Sequence, residues 1–123
     1  MRAMVVDDSK AMRTVLGRML RSCGYEEVFE AENGVEAFRK IRDHGSPDVV
    51  LVDWNMPQMS GIEFVRRVRD SGLIDGASVV MVTSETAIEK VAEALASGAD
   101  EYLMKPFTLE ALVEKLALAR ANH

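Results

Sequence analysis

The segment Val49-Val-Leu-Val-Asp53-Trp-Asn-Met-Pro57-Gln-Met-Ser-Gly61 joins a short apolar run to an acid and two turn residues. Four consecutive apolar residues predict a strand over 49–52 that is buried on both faces, as strands of parallel sheets are. Asp53 ends this run, and Pro57 and Gly61 predict a loop before the next helix. A carboxylate at the carboxyl end of such a strand lies where open α/β sheets bind their ligands.

The rest of the chain repeats this strand-then-helix unit. Apolar runs predict further strands over 4–6, 28–31, 79–82 and 102–104. Helical spacing of apolar residues predicts a helix after each strand, and the first, over 10–23, should bury one stripe made of Met12, Val15, Leu16, Met19 and Leu20. Five such units predict a doubly wound parallel α/β sheet with helices on both faces, and the flavodoxin-like strand order 2-1-3-4-5 suits this length.

Length and composition restrict the class of protein. The 123 residues, 48% hydrophobic and 28% charged, predict one globular domain over 1–123 with no second domain. No apolar run approaches the ~18 residues of a membrane span, and the first strand leaves no room for a signal peptide, so we expect a cytoplasmic protein without a membrane partner. The single cysteine excludes an internal disulfide, and the net charge of −5 argues against nucleic acid as a partner.

Chemistry-bearing residues follow four of the predicted strands. They are Asp7 and Asp8 after the first strand, Asp53 after the third, Thr83 after the fourth and Lys105 after the fifth. These strands are contiguous in the 2-1-3-4-5 order, so the groups should converge at one edge of the sheet. Three gathered carboxylates repel one another, and a hard divalent cation resolves the conflict. Oxygen ligands without histidine or cysteine favour Mg²⁺ over zinc.

Simpler interpretations of the acids exist. A lone strand-end acid more often makes a turn or a cap, and a Walker B acid would need a phosphate loop that this chain lacks. A structural network of strand-end acids neutralised by Lys105 would explain the lysine. It would not explain why three acids gather.

The motifs together resemble the receiver domains of two-component response regulators. The resemblance rests on Asp53-x-x-Met56-Pro57-x-x-x-Gly61 and on Asp7-Asp8-Ser9, Thr83 and Lys105-Pro106, which match in order over the whole chain. Within that family the chain is most similar to the single-domain regulators of chemotaxis.

The resemblance implies a phosphoryl-transfer site. Asp53 would be the phosphoacceptor, and Asp7, Asp8, Asp53 and the backbone carbonyl of Asn55 would bind Mg²⁺. Lys105, before a cis peptide bond to Pro106, and Mg²⁺ would neutralise charge on the transferring oxygens, and Thr83 would donate its hydroxyl to the attached phosphoryl group. The side chains of Asn55 and Glu85 would tune self-dephosphorylation, with a phosphoryl lifetime of seconds to minutes. The chain would act as a signalling phosphoacceptor rather than as an enzyme.

The resemblance also implies a switch and its partners. Phosphorylation would draw Thr83 inward, and Tyr102 would follow into the vacated space. This would change a surface of helix 4, strand 5 and helix 5, where we place Ile88, Val91, Tyr102, Met104, Phe107 and Lys115. The partners would be a histidine kinase or histidine phosphotransfer domain, an output protein such as the flagellar motor switch, and a phosphatase. We expect a monomer without an effector domain, so output would pass through noncovalent binding.

Three other functions compete. A haloacid dehalogenase phosphatase would have Asp-x-Asp after its first strand and a cap domain, whereas Asp7 and Asp8 are adjacent. A flavodoxin-like flavin carrier would cradle phosphate in a loop rich in Ser, Thr and Gly, where these two acids would repel it. Within the family, a stand-alone receiver in a phosphorelay or a phosphate sink is the serious alternative, because Thr86-Ala87-Ile88 is less basic than the chemotaxis prototype leads us to expect.

Overall fold

The computed structural model describes the backbone of residues 1–84 and 88–123 and the side chains of 1–84 and 89–123. Strands and helices alternate throughout these ranges. The elements are β1 (Arg2–Val6), α1 (Lys10–Ser22), β2 (Glu27–Ala31), α2 (Gly34–His44), β3 (Val49–Asp53), α3 (Gly61–Ser71), β4 (Ser78–Thr83), α4 (Ile88–Ala96), β5 (Glu101–Met104) and α5 (Leu109–Arg120).

The strands form one parallel sheet in the order β2-β1-β3-β4-β5, which confirms the predicted topology. In this register Asp53 lies beside Val82, and Thr83 lies beside Met104. The carboxyl ends of β1, β3, β4 and β5 therefore meet at one edge of the sheet, as parallel connections require.

The core occupies both faces of the sheet. Every residue of β3 and β4 is buried, which explains why these strands are continuous apolar runs instead of alternating ones. One face packs against α2, α3 and α4 around Phe64, Ile41 and Met81. The other face packs against α1 and α5 around Leu20, Leu51 and Leu112.

Polar residues cap four helices at their first turns. Ser9, Asn33, Ser60 and Thr108 each accept a hydrogen bond from the backbone N–H three residues later. Such caps stabilise a helix by about 1 kcal/mol each. They also fix where α1 begins, which matters because Ser9 directly follows the two acids.

Two details of the helix packing differ from the pattern of the sequence. Val15, predicted in the buried stripe of α1, is 44% exposed because it lies about 100° around the helix from the buried Leu16. Among the described side chains of α4, Ala94 is the buried one, while Leu95 is 43% exposed. Within the described part of the chain, no helix is both long and apolar enough to cross a membrane.

Candidate functional site

Three carboxylates meet at the carboxyl edge of the sheet. Asp7 follows β1 directly, Asp8 comes next, and Asp53 is the last residue of β3. One carboxylate oxygen of each lies within 4.8 Å of the others. Asp7 is 1% exposed and Asp53 is 8% exposed, whereas Asp8 faces solvent. The structure thus brings the three predicted acids into one half-buried cluster.

The two oxygens of the Asp7 carboxylate have different environments. Oδ1 accepts a hydrogen bond of 2.8 Å from the backbone N–H of Ser9, the cap of α1. Oδ2 is buried and has no hydrogen-bond partner among the described residues. It lies 4.0 Å from Nζ of Lys105. A buried acceptor without a donor costs free energy, so this oxygen is suited to a ligand.

Lys105 provides the positive charge of the cluster. Its Nζ donates to Oδ1 of Asp53 at 3.1 Å. The backbone N–H of Lys105 donates to the carbonyl of Thr83 at 2.7 Å, which holds the lysine beside the end of β4. The Lys105–Pro106 peptide bond is cis, as predicted.

The electrostatic balance of the cluster raises the pKa of the two buried acids, Asp7 and Asp53. Burial raises the pKa of Asp7 above its ordinary value, and the nearby charges of Lys105 and Arg13 only partly oppose this. Burial also raises the pKa of Asp53, and the charge of Asp7 raises it further against the attraction of Lys105. One ammonium group therefore does not compensate three carboxylates.

A hard divalent cation fits this donor set. The cluster offers carboxylate oxygens, including the partnerless Oδ2 of Asp7, and such oxygens are the ligands that Mg²⁺ prefers. The acidic group found among the described residues contains no histidine or cysteine, which zinc would favour. The cluster can thus hold Mg²⁺ with room for solvent at the exposed Asp8.

The loop after Asp53 is fixed to the sheet. The backbone N–H of Trp54 donates to the carbonyl of Val82, and the N–H of Gly61 donates to the carbonyl of Trp54, both at 2.9 Å. A Cβ atom on Gly61 would lie 2.2 Å from the backbone oxygen of Asp53, so only glycine fits there. Asn55 in this loop is exposed.

The remaining predicted site residues lie around this cluster. Thr83 is buried at the end of β4, 2% exposed. Glu85 lies outside the described residues. Ile88 begins α4, and its side chain is likewise outside the described part.

Two of the predicted surface residues, Tyr102 on β5 and Lys115 on α5, come together. Nζ of Lys115 lies 4.3 Å from the centre of the Tyr102 ring and forms an ion pair of 3.2 Å with Glu101. Tyr102 is half-buried, and Met104 is 40% exposed. Val91 on α4 is half-buried.

Phe107 contacts a different neighbour. It packs against the core that α1 and α5 share, and with Met12, Val15 and Met19 it lines a groove of about 460 Å³ beside α1. Sequence reasoning grouped Phe107 with Tyr102. The structure places its side chain toward α1.

Sequence reasoning missed two cations near the site. Nη1 of Arg13 donates to the backbone carbonyl of Asp7 at 2.6 Å, and Nε of the same residue pairs with Glu30 at 3.0 Å. Nζ of Lys90 lies 5.6 Å from the centre of the Trp54 ring. No local motif marks either residue, because each contact joins segments that only the fold brings together.

Comparison with known proteins settles the family. A family model described as the response regulator receiver domain matches residues 3–117. The chain belongs to this family. The match to the family model confirms the resemblance that the sequence motifs indicated. Receiver domains are signalling domains rather than classical enzymes, and membership supports a phosphorylation-activated switch.

Individual receivers are similar over nearly the whole chain. Chemotaxis protein CheY1 of Helicobacter pylori is 41% identical over 116 residues, which are 94% of each chain. A chemotaxis protein CheY homolog of Campylobacter jejuni is 40% identical, covering 94% of this chain and 89% of that protein. A solved structure of chemotaxis response regulator CheY4 of Vibrio cholerae has a TM-score of 0.86 at 38% identity, covering 96% of this chain and 97% of the other.

Proposed function

We propose that this receiver domain is a phosphorylation-activated switch of chemotaxis, in which Asp53 accepts a phosphoryl group from the phosphohistidine of a histidine kinase or phosphotransfer domain. The observation that carries the proposal is the cluster of three acids beside Lys105, with the buried Oδ2 of Asp7 left without a partner. The two relatives described above, both named chemotaxis proteins at about 40% identity, favour chemotaxis over other two-component signalling.

Each residue of the cluster has a separate role in the phosphoryl transfer. A carboxylate oxygen of Asp53 attacks phosphorus, the bond from phosphorus to the histidine nitrogen breaks, and the imidazole keeps the electron pair. Lys105 neutralises the charge that builds on the phosphoryl oxygens. Asp7, Asp8, Asp53 and the backbone carbonyl of Asn55 would hold Mg²⁺, which would supply further positive charge to those oxygens.

The phosphoryl group changes the outer surface through Thr83. It adds about −1.5 to −2 charges and strong acceptor oxygens at the edge of the sheet, which attract the Thr83 hydroxyl. Tyr102, one strand further along, then moves into the space that Thr83 leaves. Lys115 lies over the Tyr102 ring, so this movement breaks a cation–π contact at the surface.

The output surface is formed by α4, β5 and α5. Exposed apolar side chains lie on each of these elements: Leu95 on α4, Met104 on β5 and Leu118 on α5. We place Ile88, Val91, Tyr102 and Lys115 with them, and Phe107 at the margin of this surface. An exposed apolar surface rimmed by charge is typical of a protein-binding site, and we propose the flagellar motor switch as its partner.

Signal termination belongs to the same site. The side chains of Asn55 and Glu85 tune the removal of the phosphoryl group by water, alone or with a phosphatase. We expect a phosphoryl lifetime of seconds to minutes, which suits a signal that must be ended quickly.

Fluorescence of Trp54 tests the proposal, because this single tryptophan is adjacent to Asp53. We expect the signal to change when Mg²⁺ is added and to change again with acetyl phosphate. Asp53→Asn should abolish the second change, whereas the exposed loop variant Asp75→Asn should preserve both. A wild-type chain insensitive to Mg²⁺ would mean that the acids are structural. An acetyl phosphate response that survives in Asp53→Asn would place the phosphoacceptor elsewhere.

A further inference from the structure

A second groove lies between α2 and α3, away from the acid cluster. Its volume is about 420 Å³, within the range of sites that bind other molecules. Its lining consists of Val35, Phe38, Arg39, Arg42, Met59 and Arg67. None of these residues belongs to the acid cluster or to the α4–β5–α5 surface, so the groove is a separate feature of the molecule.

The floor of the groove is apolar and fixed. The Phe38 ring packs edge-to-face on the buried Phe64, with the ring centres 5.5 Å apart. Met59 is 8% exposed and packs with the same core. Val35 at the edge is 55% exposed. Apolar surface is thus open to a ligand here without rearrangement of the core.

The rim of the groove is positively charged. Arg39 and Arg42 follow Val35 and Phe38 by four positions each, so α2 presents all four on one face. Neither arginine has an ion-pair or hydrogen-bond partner among the described residues. Arg67 on α3 pairs with Glu63 at 2.8 Å, but both side chains are largely exposed, and a competing carboxylate can replace such a pair at little cost.

We propose that this groove binds an acidic peptide segment of another protein that presents one bulky apolar side chain. Arginine forks bind carboxylates through paired hydrogen bonds, and the apolar side chain would cover Phe38, Met59 and Val35. The whole chain carries a net charge of −5, so the positive rim is a local feature. The groove therefore attracts an acidic partner, whereas the rest of the chain repels it.

A second copy of this chain fits the groove less well. A two-fold contact of the groove with itself would set Arg39, Arg42 and Arg67 against their own counterparts. A contact with a different face would be head-to-tail and would not close into a dimer. Nucleic acid also carries negative charge, but phosphates would leave the apolar floor uncovered.

Selection of random twelve-residue peptides displayed on phage, using the folded chain as bait, tests the proposal. The selected peptides are then measured by fluorescence anisotropy. We expect a group rich in Asp and Glu with a Phe, Trp or Leu, whose affinity falls at least about tenfold in the Arg39→Glu/Arg42→Glu variant. Val35→Ser should weaken the same peptides several-fold, because it removes exposed apolar surface and leaves the buried core intact.

The matched control places the same charge change on α1, as Arg18→Glu/Arg21→Glu. It should leave these affinities within about twofold, since α1 lies on the opposite face of the sheet and salt screens distant charges. Equal weakening by both double variants would show that binding depends only on net charge and would overturn the proposal. A selection that yields no peptide sensitive to Arg39→Glu/Arg42→Glu would also overturn it. Self-association of the wild-type chain that this variant abolishes, measured by sedimentation, would assign the groove to a second copy instead.

Discussion

Replacing Asp53 with asparagine should stabilise the metal-free protein at neutral pH. At an effective dielectric constant of about 20, charges 4.8 Å apart repel by about 3 kcal/mol, and charges 3.1 Å apart attract by about 5 kcal/mol. Repulsion from Asp7 and from the exposed, partly screened Asp8 therefore roughly cancels the attraction of Lys105. The cost of burying the carboxylate, a few kcal/mol, remains uncompensated.

Asparagine removes this burial cost but also leaves Lys105 with a weaker acceptor. The net gain should be about 1–2 kcal/mol, or about 4–8 °C in the melting temperature of a domain of this size. Thermal unfolding followed by circular dichroism in EDTA at pH 7.5 measures it. The exposed acid variant Asp75→Asn should leave the melting temperature within about 1 °C, as surface substitutions usually do.

The stabilisation by Asp53→Asn should depend on pH, and the direction of the Asp53 pKa shift gives its sign. The folded-state pKa of Asp53 is raised above its ordinary 3.8, so its contribution to stability is fully present below pH 3.8 and is lost as the pH rises through the folded value. The advantage of Asp53→Asn should therefore vanish near pH 4 and grow as the pH rises through the folded-state pKa. Mg²⁺ should make the wild-type chain the more stable of the two. An ion at 100 times its dissociation constant stabilises the folded state by about 2.7 kcal/mol, and the variant lacks one of the carboxylates that would bind it. An Asp53→Asn variant that melts at or below the wild-type temperature in EDTA at pH 7.5 would refute this reasoning.

Three further outcomes are expected. Gly61→Ala should destabilise the fold by about 2–4 kcal/mol in urea unfolding, because the new Cβ would meet the Asp53 carbonyl. Gly76→Ala, with open space around it, should change stability little, and equal effects of the two variants would contradict the steric argument. Tyr102→Ala should leave phosphorylation by acetyl phosphate intact but weaken binding of the phosphorylated chain to the flagellar switch protein, and unchanged affinity in a pull-down titration would exclude Tyr102 from the switch. The phosphoryl group of the wild-type chain should decay within minutes in radiolabel release at room temperature, so phosphoprotein that persists for an hour would be inconsistent with self-dephosphorylation at this site.

The topology and the acid cluster were predictable because strong local patterns carry them. Continuous apolar runs identify buried parallel strands, and four of the five runs are followed directly by a functional residue, as Val52 is by Asp53. Parallel pairing then brings those residues to one edge of the sheet, and this can be predicted without knowledge of side-chain packing. The burial of Asp7 and Asp53 agrees with this simple geometry.

Contacts between distant segments were not predictable in this way. Helical spacing groups Val15 with Leu16, but only the position of α1 on the sheet determines which of the two is covered. Phe107 is adjacent in sequence to the site, yet its side chain packs toward α1 because the chain turns after β5. Arg13 reaches the carbonyl of Asp7 from one turn inside α1, a contact that depends on Glu30 of β2 for its position.

Intact-mass spectrometry after incubation with Mg²⁺ and acetyl phosphate measures phosphorylation of Asp53 most directly. We expect the wild-type chain to gain the mass of one phosphoryl group, to gain nothing when EDTA replaces Mg²⁺, and to lose the added mass on standing. Asp53→Asn should gain nothing under any of these conditions. A wild-type chain that stays at its unmodified mass, or an Asp53→Asn chain that gains the same phosphoryl group, would contradict the assignment of Asp53 as the phosphoacceptor.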